Sequence, residues 1–205
     1  MILIYNDANF KKYLLHITLL FCGVMVLGIL CGYFMPHAIT APAVNYVFHD
    51  SVSAKAIKLT SDNYKAILYF VNNTIVSLML IIIPLLYYRL IGDNIENKRR
   101  IEPIWISRMM IFGQTIMIGI VIGYSIPVIN NNLLIVMALV PHGIFELTGF
   151  LITSALGVWF VKEKYVQEIG YKGLLKIFLM YVLPAIFVAA MIETYITPWL
   201  MGMVM

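Results

Sequence analysis

A chain of 205 residues that is 62% hydrophobic and only 12% charged is not a soluble domain carrying a single anchor. No room remains for a globular domain beside the apolar runs, so function lies within a membrane or at its faces. The net charge of +4 falls on connections between those runs, where it orients a membrane protein, and does not read as a nucleic-acid surface.

The runs predict an all-α fold, a polytopic membrane helix bundle forming one transmembrane domain over residues 1–205. About five spans are expected, at 13–34, 65–90, 103–126, 133–161 and 174–201, with the fourth broken at Pro141. Lys11 and Lys12 precede the first, which is too long for a signal-peptide core. Gly28 and Gly32 give it a small face suited to close helix packing. Cys22 and Cys31 share that run roughly 13 Å apart, too far for a mutual disulfide. Residues 35–64 read as a solvated loop with a short surface helix. Its His37, His49, Asp50 and Asp62 match no familiar metal-ligand spacing.

The second span carries Asn72-Asn73 one to two turns inside its start, and Pro84 near its far end. Paired amides in a span either bond a neighbouring helix or line a site. A charged connection, residues 92–102, leads to the third span, where Gly119 and Gly123 repeat the small pair. Asn130-Asn131-Asn132 turns the chain into the fourth span. Lys162, Lys164, Lys172 and Lys176 follow it, and the fifth span holds Pro184 and, late, Glu193-Thr194-Tyr195-Ile196-Thr197-Pro198. With the N-terminus inside, only Lys55, Lys58 and Lys65 of the 14 basic residues fall outside, so N-in, C-out is expected.

Within the fourth run lies Val140-Pro141-His142-Gly143-Ile144-Phe145-Glu146-Leu147. Proline has no N–H and clashes with the carbonyl four residues back, so the helix is expected to break there and restart. His142 and Glu146 then share one face. The first N–H groups of a restarted helix would favour a carboxylate, phosphate or polarised carbonyl, and Gly143 would let a substrate backbone approach. At 1.5 Å per residue, Asn72 lies roughly 10 Å and His142 roughly 15 Å below the outer face. Glu193, late in an outward-running helix, belongs to the same half. Placing an acidic residue at a helix centre costs roughly 2.5–3.5 kcal/mol, so unpaired carboxylates are not expected.

The segment 141–147 resembles the signature of the stage II sporulation protein M family, and Asn72-Asn73 and residues 192–198 resemble its two other marks in order and spacing. Thr148-Gly149 stands where that family usually has Pro-Ala. The resemblance implies a multi-pass protein of the bacterial cell membrane that works with partners. The sporulation member is a scaffold for cell-wall hydrolases; relatives occur beside transport ATPases and in clusters making circular bacteriocins.

Three readings follow. One is a membrane subunit or scaffold for peptide export, maturation, immunity or cell-wall remodelling, with a cytosolic ATPase docking on loops 92–102 and 162–176. The second is an intramembrane hydrolase or peptidase in which His142, Glu146 and Glu193 bind zinc, or Glu146 serves as a general base, with Asn72, Asn73, Pro141 and Gly143 lining the site. The third is a proton- or ion-coupled transporter using the same carboxylates. A buried network with His142 held between the two glutamates would explain the residues without any activity.

Overall fold

The computed structural model describes residues 8–45, 62–91, 102–129, 132–162 and 170–203, which are helical apart from short turns. Helices α1 (Ala8–Phe34), α2 (His37–Asn45), α3 (Asp62–Ile91), α4 (Glu102–Val128) and α5 (Asn132–Lys162) are followed by a last rod. The rod comprises α6 (Gly170–Ile177), a π-turn at Phe178–Val182, α7 (Leu183–Met191), a π-turn at Ile192–Ile196 and α8 (Thr197–Gly202). Five of these helical stretches are long and apolar enough to cross a membrane. In lipid a helix satisfies its own backbone, which is why such apolar runs fold this way. At 27 to 31 residues, α1, α3, α4 and α5 exceed a roughly 30 Å hydrocarbon core and reach into the interface.

The centre of the bundle is α5, which packs on α1, α3, α4, α7 and α8. Every residue from Thr153 to Val161 is buried. Trp159, Phe160 and Leu156 fill the middle, and Phe10 of α1 meets Trp159 edge-to-face at 5.9 Å. Apolar side chains gain nothing by leaving lipid for one another, so close van der Waals fit must hold these helices together. Gly157 supplies one such fit: a Cβ there would lie 2.7 Å from the Leu80 carbonyl oxygen of α3.

The closest crossing joins α1 to α4, the most extensive pairing in the bundle. The two glycine pairs expected to be packing faces form the two halves of one seam. A Cβ on Gly28 would lie 2.9 Å from Gly119 Cα, and one on Gly119 would lie 2.7 Å from the Met25 carbonyl oxygen. Gly32 meets Ile120, and Gly123 meets Ile29, with no room for a side chain.

The fourth span is not broken. α5 runs without interruption from Asn132 to Lys162 with Pro141 inside it. Proline forfeits one bond, that to the Met137 carbonyl, and membrane helices tolerate this because neighbours and small local adjustments satisfy the freed group. The restarted-helix anion site expected at Pro141 is therefore not formed. Of the expected loop 35–64, the described residues are Met35, Pro36, α2 and the first turn of α3, which begins at Asp62 and not near Lys65. Helix α2 contacts α4, and its start is held by the Pro36 carbonyl accepting from the Ile39 N–H at 2.9 Å. His49 and Asp50 lie outside the described residues.

The last rod adapts to its prolines differently. Leu183 N–H bonds Phe178 O, and Thr197 N–H bonds Ile192 O, each skipping one residue more than an α-helix does. Each wide turn ends just before a proline, Pro184 or Pro198, and carries away the carbonyl that the ring would strike, at Met180 or Thr194. Backbone angles stay helical through both junctions, so the rod continues rather than kinking open.

Candidate functional site

Ten residues into α5, at the end of the bundle opposite Lys11, Lys12, Lys172 and Lys176, Pro141, His142 and Gly143 are half-buried. One turn on, Glu146 follows on the His142 face, while Ile144 and Phe145 are exposed on the other side. The i, i+4 relation survives because the helix runs through Pro141 unbroken. Glu193 enters from the second π-turn, which contacts both α5 and α3. One ligand atom from each of His142, Glu146 and Glu193 lies within 4.8 Å of the other two.

His142 makes one further contact that defines the ring. Its Nδ1 lies 3.3 Å from the Thr197 hydroxyl of α8, a buried residue. With Nδ1 protonated and donating to that oxygen, Nε2 keeps its lone pair for a ligand. A metal-binding histidine is commonly oriented by such a bond from its second nitrogen. Glu193 and Thr197, four residues apart, both reach α5 from this end of the last rod. Thr194 turns its hydroxyl back to the Ala190 carbonyl at 2.8 Å and takes no place in the cluster.

Asn72 and Asn73 lie on α3 near the same end. Asn73 is buried, and Asn72 Nδ2 donates to Asn73 Oδ1 at 3.3 Å. Tyr69 of α3, one turn before Asn73, lies within electrostatic reach of Glu193. Sequence reasoning missed Tyr69 and Thr197 as site residues. The i, i+4 spacing of Tyr69 and Asn73 was the available signal for the first, and membership of the 192–198 motif for the second. At Gly143 a Cβ would meet open space, so the helix surface beside His142 is unobstructed. Gly149 sits two residues after Leu147 against the fully buried Ile186 of α7, where a Cβ would come within 3.2 Å.

Glu146 and Glu193 lie within electrostatic reach of each other. Two ionised carboxylates with oxygens within 4.8 Å of each other would repel by roughly 3–4 kcal/mol or more at an effective dielectric constant of about 20. The arrangement therefore calls for positive charge between them, from protons or a cation. The donor set, one imidazole and two carboxylates, suits zinc or a similar divalent ion. Ligands about 2.0–2.2 Å from a tetrahedral ion stand roughly 3.4 Å apart, so side-chain rotation on the order of 1 Å would close the set.

No solved structure matches the chain. An uncharacterised protein of Methanocaldococcus jannaschii is 38% identical over 92 residues, covering 40% of this chain and 51% of that protein. The chain thus matches about half the length of that relative. The family model for stage II sporulation protein M matches residues 17–198, which takes in most of α1, both glycine pairs and all three residues of the cluster. By that match, the chain belongs to the stage II sporulation protein M family.

Proposed function

We propose that this protein is a multi-pass subunit of the bacterial cell membrane, N-in and C-out, that holds a divalent metal ion in its outer half and hydrolyses an amide-type bond there. One observation carries the proposal: an imidazole and two carboxylates from two helices gather within 4.8 Å. His142, Glu146 and Glu193 would hold the ion, which would supply Lewis-acid activation of a water and of a carbonyl. Glu146, binding through one oxygen, would take the water's proton on its other oxygen as the water oxygen adds to the carbonyl carbon, and would return it to the departing amine as the C–N bond breaks. The open surface at Gly143 suits an extended peptide lying against α5.

Metal analysis of the protein purified without chelator tests this. The expected stoichiometry is about one ion per chain, lost in His142→Ala and in Glu193→Gln while the helical circular dichroism persists. Metal-free wild-type protein that takes up no zinc, cobalt or manganese on dialysis would refute the proposal.

A second reading is favoured by the His142–Thr197 bond, which ties α5 to α8. In that reading the cluster is a clasp, and the protein is a non-catalytic subunit or scaffold in peptide export, maturation, immunity or cell-wall remodelling. An ATPase would then dock on the basic connections, of which residues 92–101 and 163–169 lie outside the described residues. All three substitutions His142→Ala, Glu146→Gln and Glu193→Gln would then lower stability and leave metal content unchanged.

A further inference from the structure

At the opposite end of the bundle a second feature stands apart from the metal cluster. A cleft of about 320 Å³ opens between α1 and α4, lined by His16, Leu20, Arg108, Met109 and Phe112. His16 and Arg108 are exposed at its rim, and Met109 and Phe112 are exposed along it. His16 Nδ1 donates to the Lys12 carbonyl oxygen at 2.8 Å, which fixes the ring, and in the imidazolium form Nε2 is the donor turned to an anionic ligand. Lys11 and Lys12 are exposed less than two turns before it on the same helix. The cleft therefore has a cationic mouth and an apolar wall.

Its position decides what such a cleft takes. Arg108 faces His16, about one turn beyond Lys12 along α1, and its long side chain can reach back to the boundary between hydrocarbon and headgroups. Leu19 is exposed beside Leu20 on α1, and Leu27, exposed two turns further along the same face, continues the apolar surface toward the bilayer centre. A free phosphate has no use for that wall. An acyl chain does, and it runs in the same direction as the exposed side chains while its phosphodiester stays at the rim. Basic pockets between transmembrane helices at an interface are suited to anionic headgroups, and arginine binds phosphate oxygens in a fixed, two-pronged geometry.

We propose that this cleft is a binding site for one anionic phospholipid, its phosphodiester held by Arg108 and His16 and one acyl chain lying along Leu20, Met109 and Phe112. The site is independent of the metal proposal and shares no residue with it. Bound lipid would bridge α1 and α4 at the end of their crossing away from the Gly32–Gly123 contact.

Native mass spectrometry of the full chain, released from micelles doped with phosphatidylglycerol or phosphatidylcholine, tests the proposal. Wild-type protein is expected to retain phosphatidylglycerol in preference to phosphatidylcholine. Arg108→Gln should weaken that retention about fivefold, the effect of one basic group at a membrane surface. Should Arg108→Gln fail to fold, His16→Gln gives the same reading from α1. Lys172→Gln, which removes an exposed charge on α6, should bind like wild type. Equal retention of the two lipids, or an equal loss in Lys172→Gln, would overturn the site in favour of diffuse attraction. Displacement of phosphatidylglycerol by equimolar inorganic phosphate would overturn the lipid and leave a bare anion site.

Discussion

Gly28→Ala and Gly23→Ala make a matched pair on one helix. Both replace a glycine of α1 by the residue with the best helix propensity, a change worth up to about 1 kcal/mol in favour of the variant. At Gly23 the new methyl meets nothing within 4 Å. At Gly28 it would stand 2.7 Å from the Ile116 carbonyl oxygen and 2.9 Å from Gly119 Cα, where ordinary contact begins at 3.4 Å. Both obstacles are backbone, so neither can rotate away. The helices must part by something under 1 Å. A gap of that size forfeits a quarter to a half of each contact energy of about 0.1–0.2 kcal/mol, and over some forty atom pairs the loss is about 2 kcal/mol. Set against the propensity gain, Gly28→Ala should be less stable than wild type by about 1 kcal/mol and Gly23→Ala more stable by up to the same amount. Their melting temperatures in detergent should differ by about 4–8 °C. Differential scanning fluorimetry on purified protein reads this directly. Equal melting temperatures, or Gly28→Ala the more stable of the two, would refute the seam.

Three further outcomes are expected. Glu146→Gln and Glu193→Gln should be non-additive, the double variant departing from the sum of the singles by about 0.5–3 kcal/mol in thermal stability, because the two groups share one environment; additivity would separate them. Thr197→Val removes the hydroxyl facing His142 Nδ1 and should weaken zinc binding about 10–100-fold in a competition titration while the protein stays folded, whereas unchanged affinity would show that the hydroxyl does not orient the ring. A cysteine placed at position 55 in a chain whose own cysteines are replaced should be labelled by an impermeant maleimide from outside intact cells, and one at position 96 should be protected; the reverse would invert the proposed orientation.

Much of the fold was legible because its signals are local. A run of apolar residues long enough to cross a bilayer can hardly be anything but a helix, so five such runs read directly from hydropathy. The His142–Glu146 spacing likewise needs only helical geometry. Glu193 could be set at the right depth by counting, but depth says nothing of which way a side chain points. Its approach to His142 depends on the π-turn, and an extra residue in a turn leaves no mark on hydropathy. Pro141 misled for a related reason. Proline's cost is the same in every helix of the chain, yet α5 absorbs it within an α-helical course, while the last rod inserts a wider turn before Pro184 and Pro198. Which remedy applies depends on the packing around each ring. The glycine pairs announced close approach, and only the assembled bundle shows that they approach one another.

The wide turn at Ile192–Ile196 works as a phase shift in the last span. An α-helix advances about 100° per residue. Extending one hydrogen-bonded loop by a residue therefore rotates everything after it, relative to everything before, by a large part of a turn. Ala190, buried before the turn, and Thr197, buried after it, both face inward, and that register is set by the number of residues between them. It follows that the length of this span is constrained more tightly than its composition. Losing a single residue between Met191 and Pro198 would leave hydropathy and span length nearly unchanged, yet turn α8 away from His142. This segment should accept many exchanges of one apolar residue for another and very few insertions or deletions, a pattern opposite to that of an ordinary helix end.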